Sequence, residues 1–314
     1  GDVYLTKPKV AGDPAGLSVV VPAQLGPVDA GTVIVGARLQ LRSDGGLHVT
    51  SDPIPALQEG IPLALRQLTV TVNRKGFMRN PSSCGTKRAA GHFDALGGGS
   101  ADAGSTLHFG DCDRLGFAPR IKATLGVRHA RHAGGHPSFT TTITAGPADA
   151  AIRRAYVRLP GALATNLAAV NAACEQAAFA AGSCSKRARV ASARAVSPLF
   201  AQPVTGHVWL VKRERGLPKL VVQLRDPIAI AFEGIVTVGK RGRIATTFDP
   251  VPDLPVTSFT LRFHDGAYGA LAATRPLCKR KRALRLPAVF NGQNGTKVNT
   301  RPRIAIKGCL KPRR

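Results

Sequence analysis

An internal repeat constrains this chain more than any other feature, because six segments of its first third recur in the same order near its end. The matched segments are Gly1–Leu5 with Gly206–Leu210, Leu17–Val21 with Leu220–Leu224, Asp52–Leu57 with Asp249–Leu254, Leu68–Val72 with Phe259–Phe263, Cys84 with Cys278, and Leu107–Cys112 with Ile304–Cys309. Six matches in series indicate duplication rather than chance. The sequence therefore predicts two homologous modules, at 1–112 and 206–314, with a connecting stretch at 113–205 between them.

Both modules are predicted to consist of β-strands. In the first module, β-branched or alternating runs predict strands at Val3–Thr6, Leu17–Val21, Thr32–Leu41 and Leu68–Val72. Ser43–Gly46 and Lys240–Gly242 are turn signals. The Asp-Pro-x-Pro segments at Asp52 and Asp249 predict an extended edge or crossover strand, because proline cannot donate to a ladder. With 34 Gly and 23 Pro, a β-sandwich or an open barrel is favoured over long helices.

The connecting stretch has a different pattern. Ile121–Val127 and Ser138–Thr144 predict two strands around a loop at His129–Pro137. Ala162–Ala181 is alanine-rich and predicts a helical segment, interrupted near Cys174. The predicted fold class is therefore mainly β, with two homologous β-sandwich-like modules and a small disulfide-pinned helical element between them.

Six cysteines point to an oxidising compartment. Their even number and the absence of a CxxC pair argue against structural zinc and thioredoxin-type chemistry, and the alternative is six buried free thiols. The spacing predicts three local disulfides, Cys84–Cys112, Cys174–Cys184 and Cys278–Cys309. The chain begins at Gly1 without a leader, which is expected of a mature secreted protein and equally of a trimmed one. No apolar run approaches the roughly 18–20 residues of a membrane-spanning helix.

The two modules differ in what surrounds them. The second follows 113–205, whereas nothing precedes the first at Gly1. A β-module that lacks a strand exposes an unpaired edge, which strand addition from a neighbour repairs. We therefore expect copies of this chain to join head to tail, and to form an open filament if the rotation does not close. The alternative is a monomer in which 113–146 folds back onto the first module.

Charge is concentrated in the last two thirds of the chain. Residues 1–112 carry ten basic and nine acidic side chains, 113–205 carry twelve and three, and 206–314 carry 22 and six, for a formal net charge of +26. Such density favours polyanions such as a wall polymer, a polysaccharide or DNA bound without sequence specificity, although a solvated basic face is the alternative. The candidate contacts are Lys186, Arg187, Arg189, Lys240, Arg241, Arg243, Lys279, Arg280, Lys281 and Arg282.

Enzyme motifs are absent from the sequence, which contains no GxSxG, HExxH or Walker pattern. His129, His132 and His136 lie among arginines and are interpreted as an exposed loop rather than a metal site. Asp52 and Asp249 recur with their prolines and are interpreted as turn caps. Asn294–Thr296 is a glycosylation sequon but reads better as a hairpin turn, and Trp209 matches Tyr4 as a packing residue. No catalytic residue and no cofactor are expected.

Several segments resemble large secreted repeat proteins of soil and thermophilic actinobacteria. The similar segments are Tyr4–Thr6, Gly16–Pro22, Ser51–Pro55, Gly60–Leu63, Asn80–Cys84, Leu159–Pro160, Pro252–Phe259 and Asn291–Gly295. The resemblance spans nearly the whole chain and implies secretion and β-rich arrays, with no activity and no site residues to transfer. The expected function is an extracellular or cell-surface structural protein that assembles with itself. The alternatives are a cationic module for polyanions and, third, a secreted hydrolase.

Overall fold

Short β-branched runs separated by glycine and proline form strands throughout this molecule. The computed structural model describes residues 1–42, 44–63, 66–73, 78–128, 130–226, 228–278 and 283–309. It divides the chain into a first unit, Gly1–Cys112, and a second unit, Asp113–Arg314. Both units are mainly β, which confirms the predicted fold class at that level.

The first unit contains a four-stranded antiparallel sheet and a separate long hairpin. The sheet is formed in sequence order by β1 (Asp2–Thr6), β2 (Ala15–Leu25), β3 (Val28–Leu41) and β4 (Leu47–Ser51). Two-residue strands β5 (Leu57–Gln58) and β6 (Ile61–Pro62) follow, and then the hairpin of β7 (Gly85–Asp94) and β8 (Ser100–Phe109). Gly26, at φ 59°, supplies the left-handed residue that the tight β2–β3 turn requires.

One predicted strand of the first unit is wrong. Leu68–Val72 has the alternation of a strand, yet it pairs with no other described residues. The matching residues of the repeat, Phe259–Phe263, do form a strand, and both of its neighbours come from 113–205. The pattern therefore identified a strand-forming sequence, but the pairing partners that make it a strand are present only in the second unit.

The second unit contains one large curled sheet. Its strands are β9 (Arg120–Gly126), β10 (Ser138–Thr144), β11 (Ile152–Arg158), β12 (Leu163–Thr165), β13 (Arg189–Val196), β14 (Val204–Val211), β15 (Lys219–Asp226), β16 (Ile230–Gly239), β17 (Arg243–Phe248), β18 (Ser258–Phe263), β19 (Leu271–Ala273), β20 (Ala288–Gly292), β21 (Lys297–Thr300) and β22 (Ile304–Lys307). Twelve of them form the order β21-β20-β11-β17-β16-β15-β14-β13-β18-β10-β9-β22. Only β22 and β9 pair in parallel among these strands.

Strands from 113–205 are interleaved with strands from 206–309 in this sheet. β13 lies between β14 and β18, β11 lies between β17 and β20, and the predicted hairpin β9–β10 joins β18 to β22. The alternating burial of β9 explains its place, because Ile121, Ala123 and Leu125 turn inward while their neighbours face solvent. Residues 113–205 therefore supply strands that line the core of the sheet they share with 206–309.

The predicted helical segment at 162–181 is only partly helical. Its start is strand β12, and the rest forms two helices of five residues each, α1 (Leu167–Asn171) and α2 (Gln176–Ala180). Asn166 caps α1 by accepting from the Ala168 N–H at 3.1 Å, and its own amide donates to the Gly269 carbonyl at 2.9 Å. The helical segment is interrupted near Cys174, as predicted, because the backbone of Cys174 forms an isolated β-bridge with Val211 of β14. Pairing with β19 takes precedence over alanine's helix preference at 163–165.

The four strands β1–β4 and the four strands β14–β17 have the same order and the same register. All pairs of the β1–β2 and β3–β4 ladders, and the β2–β3 pairs from Leu17–Ala37 to Val21–Val33, have repeat-related pairs in the second sheet. The corresponding pairs are Val3–Val19 and Val208–Val222, Leu5–Leu17 and Leu210–Leu220, Leu17–Ala37 and Leu220–Gly234, and Ala37–Ser51 and Gly234–Phe248. The sequence repeat therefore corresponds to equivalent strand pairing over these four strands.

Three disulfides are formed, Cys84–Cys112 in the first unit and Cys174–Cys184 and Cys278–Cys309 in the second, and these are the predicted pairs. The Asp-Pro-x-Pro segments are corrected to connections, since neither is a strand among the described residues. No helix in the described part of the chain has the length and apolar character needed to cross a membrane.

Candidate functional site

The apolar side chains of the first unit are far more exposed than their counterparts in the second. Side chains that line the core of the second unit correspond in the repeat to side chains that face solvent in the first. The matched exposures are Val3 41% and Val208 0%, Leu5 56% and Leu210 7%, Leu47 54% and Ile244 5%, and Val70 50% and Leu261 7%. The same strand pairing therefore produces a closed core in one unit and an uncovered apolar face in the other.

The cause of this difference is the segment 113–205. In the second unit it supplies the neighbour of β14 through β13, the neighbour of β17 through β11, and both neighbours of β18. The equivalents β1 and β4 each pair with one strand only among the residues that the structure describes. The first unit thus presents two sheet edges with unpaired backbone donors and acceptors, beside an apolar face.

The apolar surface of the first unit is extensive. Among the residues that the structure describes, its exposed large hydrophobic residues are Val3, Tyr4, Leu5, Val10, Val21, Val28, Ile34, Leu47, Val49, Leu57, Leu68, Val70, Val72, Met78, Phe93, Leu96 and Leu107. In the second unit only Leu167, Leu199, Val238 and Tyr268 of the described residues belong to this class. Scattered exposed apolar residues are ordinary on a monomer. The registers, however, place Val3, Leu5, Leu47 and Val49 on one face of the β1–β4 sheet, and such a set marks an interaction surface.

Basic residues of the second unit gather at one end of its sheet, here called the basic end. Antiparallel registers place Arg158, Arg189 and Arg243 at that end, since Arg158 pairs with Ala245, Arg189 with Trp209, and Arg243 with Gly239. The opposite end holds Asp226 and Asp249, where β15 and β17 finish. The charge of the second unit is therefore polarised along its strands.

Several of the predicted polyanion contacts lie at the basic end. Lys186 and Arg187 occupy a short 3-10 turn before β13, and the Arg187 guanidinium lies 4.9 Å from the Tyr268 ring centroid. Lys240 lies in the turn before Arg243. The side chain of Arg241 and all of Lys279, Arg280, Lys281 and Arg282 lie outside the described residues. The strand register thus brings the described candidates to one end of the sheet: Lys186, Arg187, Arg189, Lys240 and Arg243.

Sequence reasoning missed a set of arginines that are far apart in the chain. Arg158, Arg275, Arg285 and Arg301 are not among the predicted contacts, although Arg275 and Arg285 flank the Lys279–Arg282 cluster. With Arg243 they line one surface cleft of about 290 Å³. The hairpin turn at Asn294–Thr296 is the sequence signal that could have predicted the two of them that flank the paired strands, Arg285 and Arg301. That turn brings β20 and β21 together and so fixes the positions of the residues beside them.

The curled sheet of the second unit encloses an apolar cavity of about 220 Å³. Its walls include Phe139, Val236 and Phe259 from strands that are distant in sequence. Engineered apolar cavities of about 150 Å³ admit benzene-sized molecules, so this volume can hold a small apolar molecule. The one acidic side chain in its lining, Asp149, is occupied in accepting the Gly146 N–H at 2.8 Å.

The remaining sequence candidates have structural roles. The Nδ1 atom of His136 lies 3.2 Å from the Leu271 carbonyl oxygen, His132 is exposed, and His129 lies outside the described residues. Asp52 and Asp249, which were predicted to be turn caps, form ion pairs with Lys9 and Arg154, respectively.

Asn294 and Trp209 behave as predicted. Asn294 and Gly295 form a hairpin turn, in which the Gly292 N–H donates to the Thr296 carbonyl at 2.8 Å. The Asn294 amide donates to the Leu115 carbonyl at 3.1 Å. Trp209 packs in β14 with its ring centroid 6.5 Å from that of Phe179, so it is a packing residue. Neither residue adds a chemical group to a site.

Comparison with known proteins assigns no family to the chain. No protein-family model matches it, and no curated protein is similar in sequence.

Proposed function

We propose that this chain is an extracellular structural protein whose first unit joins it to another copy by β-strand pairing. The observation that carries the proposal is the matched exposure of Val3 with Val208 and of Leu5 with Leu210. A side chain in the same register position is buried where a further strand covers the sheet and exposed where none does. Burying such residues supplies roughly 1.5–3 kcal/mol each, which favours covering them.

The donor is an edge strand rather than an exchanged segment. Each chain carries one 113–205 segment, and that segment is already paired within its own second unit. Exchanging it between copies would open one unit for each that it closed. The sheet of the second unit ends at β21 and β22, each with a single neighbour among the described residues. We infer that one of these edges pairs with β1 or β4 of the next copy.

Charge supports contact between unlike units. Residues 1–112 carry ten basic and nine acidic side chains, whereas 113–314 carry 34 and nine. Two second units repel each other, but a nearly neutral first unit can approach a basic second unit at low electrostatic cost. A heterologous contact of this kind propagates head to tail, and it yields a filament when the rotation leaves it open. Three disulfides are consistent with an oxidising, extracellular location.

Lysine substitutions on the edge strand test this assembly. The variant Val3→Lys/Leu5→Lys places two charges on the apolar face of β1, which should abolish pairing there. Leu167→Lys/Val238→Lys is the matched control, because it adds two charges at exposed apolar sites of the second unit. The wild type and the control should form oligomers in light scattering after size exclusion and filaments in negative stain, while the β1 variant should be monomeric. A wild type that stays monomeric through a dilution series refutes the proposal.

A second function, polyanion binding, is favoured by the basic end of the second unit. Charges gathered at one end of a sheet raise the local potential more than the same charges spread evenly. We propose that wall polymer, acidic polysaccharide or DNA binds there without sequence specificity. Retention on immobilised heparin should fall steeply as salt rises, because binding releases counterions. Elution that is indifferent to salt, or no retention at low salt, would contradict it.

A further inference from the structure

A cleft at the basic end is lined by five arginines and by no acidic residue among the described ones. Its remaining walls are backbone and apolar, formed by Leu159, Pro160, Gly161 and Pro287. None of the five guanidinium groups forms an ion pair with a described carboxylate. Five like charges therefore share a cleft of about 290 Å³ without a counter-charge from the described part of the chain.

The backbone around the cleft is fixed by hydrogen bonds. The Arg158 N–H donates to the Pro287 carbonyl and the Leu159 N–H to the Ile244 carbonyl, both at 2.9 Å. The Thr274 N–H donates to the Ala162 carbonyl at 3.0 Å, which places Arg275 beside Gly161. These bonds join four separate segments, so the arginines are held near one another by strand pairing and not by chance loop positions.

One arginine is also oriented by its neighbour. Arg285 Nη1 donates to the Arg301 carbonyl oxygen at 3.1 Å, which leaves the other N–H groups of its guanidinium for a ligand. Arginine cannot relieve repulsion by losing its proton, since guanidinium stays charged at any pH that a folded protein tolerates. The remaining way to neutralise the cluster is an anion from outside.

We propose that this arginine cleft is a binding site for an oligophosphate, an anion in which several phosphate groups are linked close together. Guanidinium groups pair with phosphate through two parallel hydrogen bonds, and five of them match an anion with several charges at short spacing. A single sulfate or phosphate would neutralise only part of the cluster. The inference rests on the second function proposed above, polyanion binding, and gives it a defined site and ligand class.

Calorimetric titration with tripolyphosphate at physiological salt tests the site. The variant Arg158→Gln/Arg275→Gln removes two of the five charges and should weaken binding at least tenfold. Arg225→Gln/Arg262→Gln removes two exposed charges of the same unit outside the cleft, and it should change affinity less than twofold. Arg158→Lys/Arg275→Lys keeps the charge but removes the guanidinium fork, and it should lose affinity to an intermediate degree. Far-UV circular dichroism checks that each variant is folded.

Two results would overturn the site. One is equal weakening by the cleft variant and its control, which would mean that only diffuse charge matters. The other is no tripolyphosphate binding by the wild type. Heparin retention distinguishes this failure from failure of the broader function: retention without tripolyphosphate binding refutes the cleft alone, whereas loss of both refutes polyanion binding. A wild type that binds inorganic sulfate as tightly as tripolyphosphate also contradicts the ligand class.

Discussion

The first unit and the second unit contain the same four-strand sheet in two different environments. β1–β4 and β14–β17 agree in order and in register, yet Val208 is fully buried whereas Val3 is 41% exposed. Local sequence is therefore sufficient to form the sheet. Closing a core over it requires other strands, and in the second unit those come from 113–205. The comparison separates the formation of a β-sheet from the burial that stabilises it.

Truncating the repeat-related residues Leu5 and Leu210 should give the largest difference between the two units. Leu210→Ala should destabilise the second unit by about 2–5 kcal/mol, because Leu210 is buried and its removal leaves a cavity. Leu5→Ala should cost the isolated first unit less than about 1 kcal/mol, since Leu5 already faces water. Denaturant unfolding, followed separately for each unit, measures both changes. Equal losses at the two positions would show that the first unit is as well covered as the second.

Measuring the same two variants at several protein concentrations tests the proposed contact between copies. If Leu5 becomes buried on assembly, the effect of Leu5→Ala should grow as protein concentration rises, because assembly stabilises only the paired state. Leu210→Ala should give the same loss at every concentration. An effect of Leu5→Ala that does not depend on concentration contradicts the proposed contact.

Removing the equivalent disulfides should have an effect of about 2–4 kcal/mol in each unit. Cys84–Cys112 and Cys278–Cys309 close loops with sequence separations of 28 and 31, so the loop-closure entropy lost is nearly the same. Cys84→Ser/Cys112→Ser should nevertheless unfold the first unit at a lower temperature than Cys278→Ser/Cys309→Ser unfolds the second, because the first starts from a smaller core. Calorimetry measures the melting temperature of each unit. A lower melting temperature for the second unit in its variant than for the first unit in its own would contradict the smaller core of the first unit.

Histidines give the smallest predicted effect, and its sign differs between the units. In the second unit, burial and the nearby Arg189 lower the pKa of His207 and of His264 below their ordinary 6.5. The unfolded chain then binds protons more readily, so stability is lost as pH falls from about 6.5 through the folded-state pKa. In the first unit, the hydrogen bond that the His92 ring donates to the Asp102 carboxylate and the negative charge of Asp94 raise the pKa of His92.

The His92 interaction is therefore fully present below pH 6.5 and is lost as pH rises through its raised pKa. Lowering the pH from 7.5 to 5.5 should depress the melting temperature of the second unit slightly, while the His92 contribution moves the first unit in the opposite direction. His207→Gln/His264→Gln and His92→Gln should each remove the trend in their own unit. A trend that survives the matching substitution would mean that other groups are responsible.

The amino-acid sequence by itself determined several of the strands, where the chain repeats and which cysteines pair. These are local or self-similar properties: alternation at Leu17–Val21, the matched contexts of Cys84 and Cys278, and the Gly and Pro turns. Leu68–Val72 shows the limit of this reasoning, because its alternation is real but the strands that would pair with it are not encoded nearby.

Only the tertiary structure decided which strands are covered and which charges converge. Strand order places β11 beside β17 and β13 beside β14. It also brings Arg158, Arg243, Arg275, Arg285 and Arg301, which lie on separate segments of the chain, to one cleft. Burial and electrostatic clustering depend on distances through space, and a chain of alternating residues does not specify those distances until its strands have chosen their neighbours.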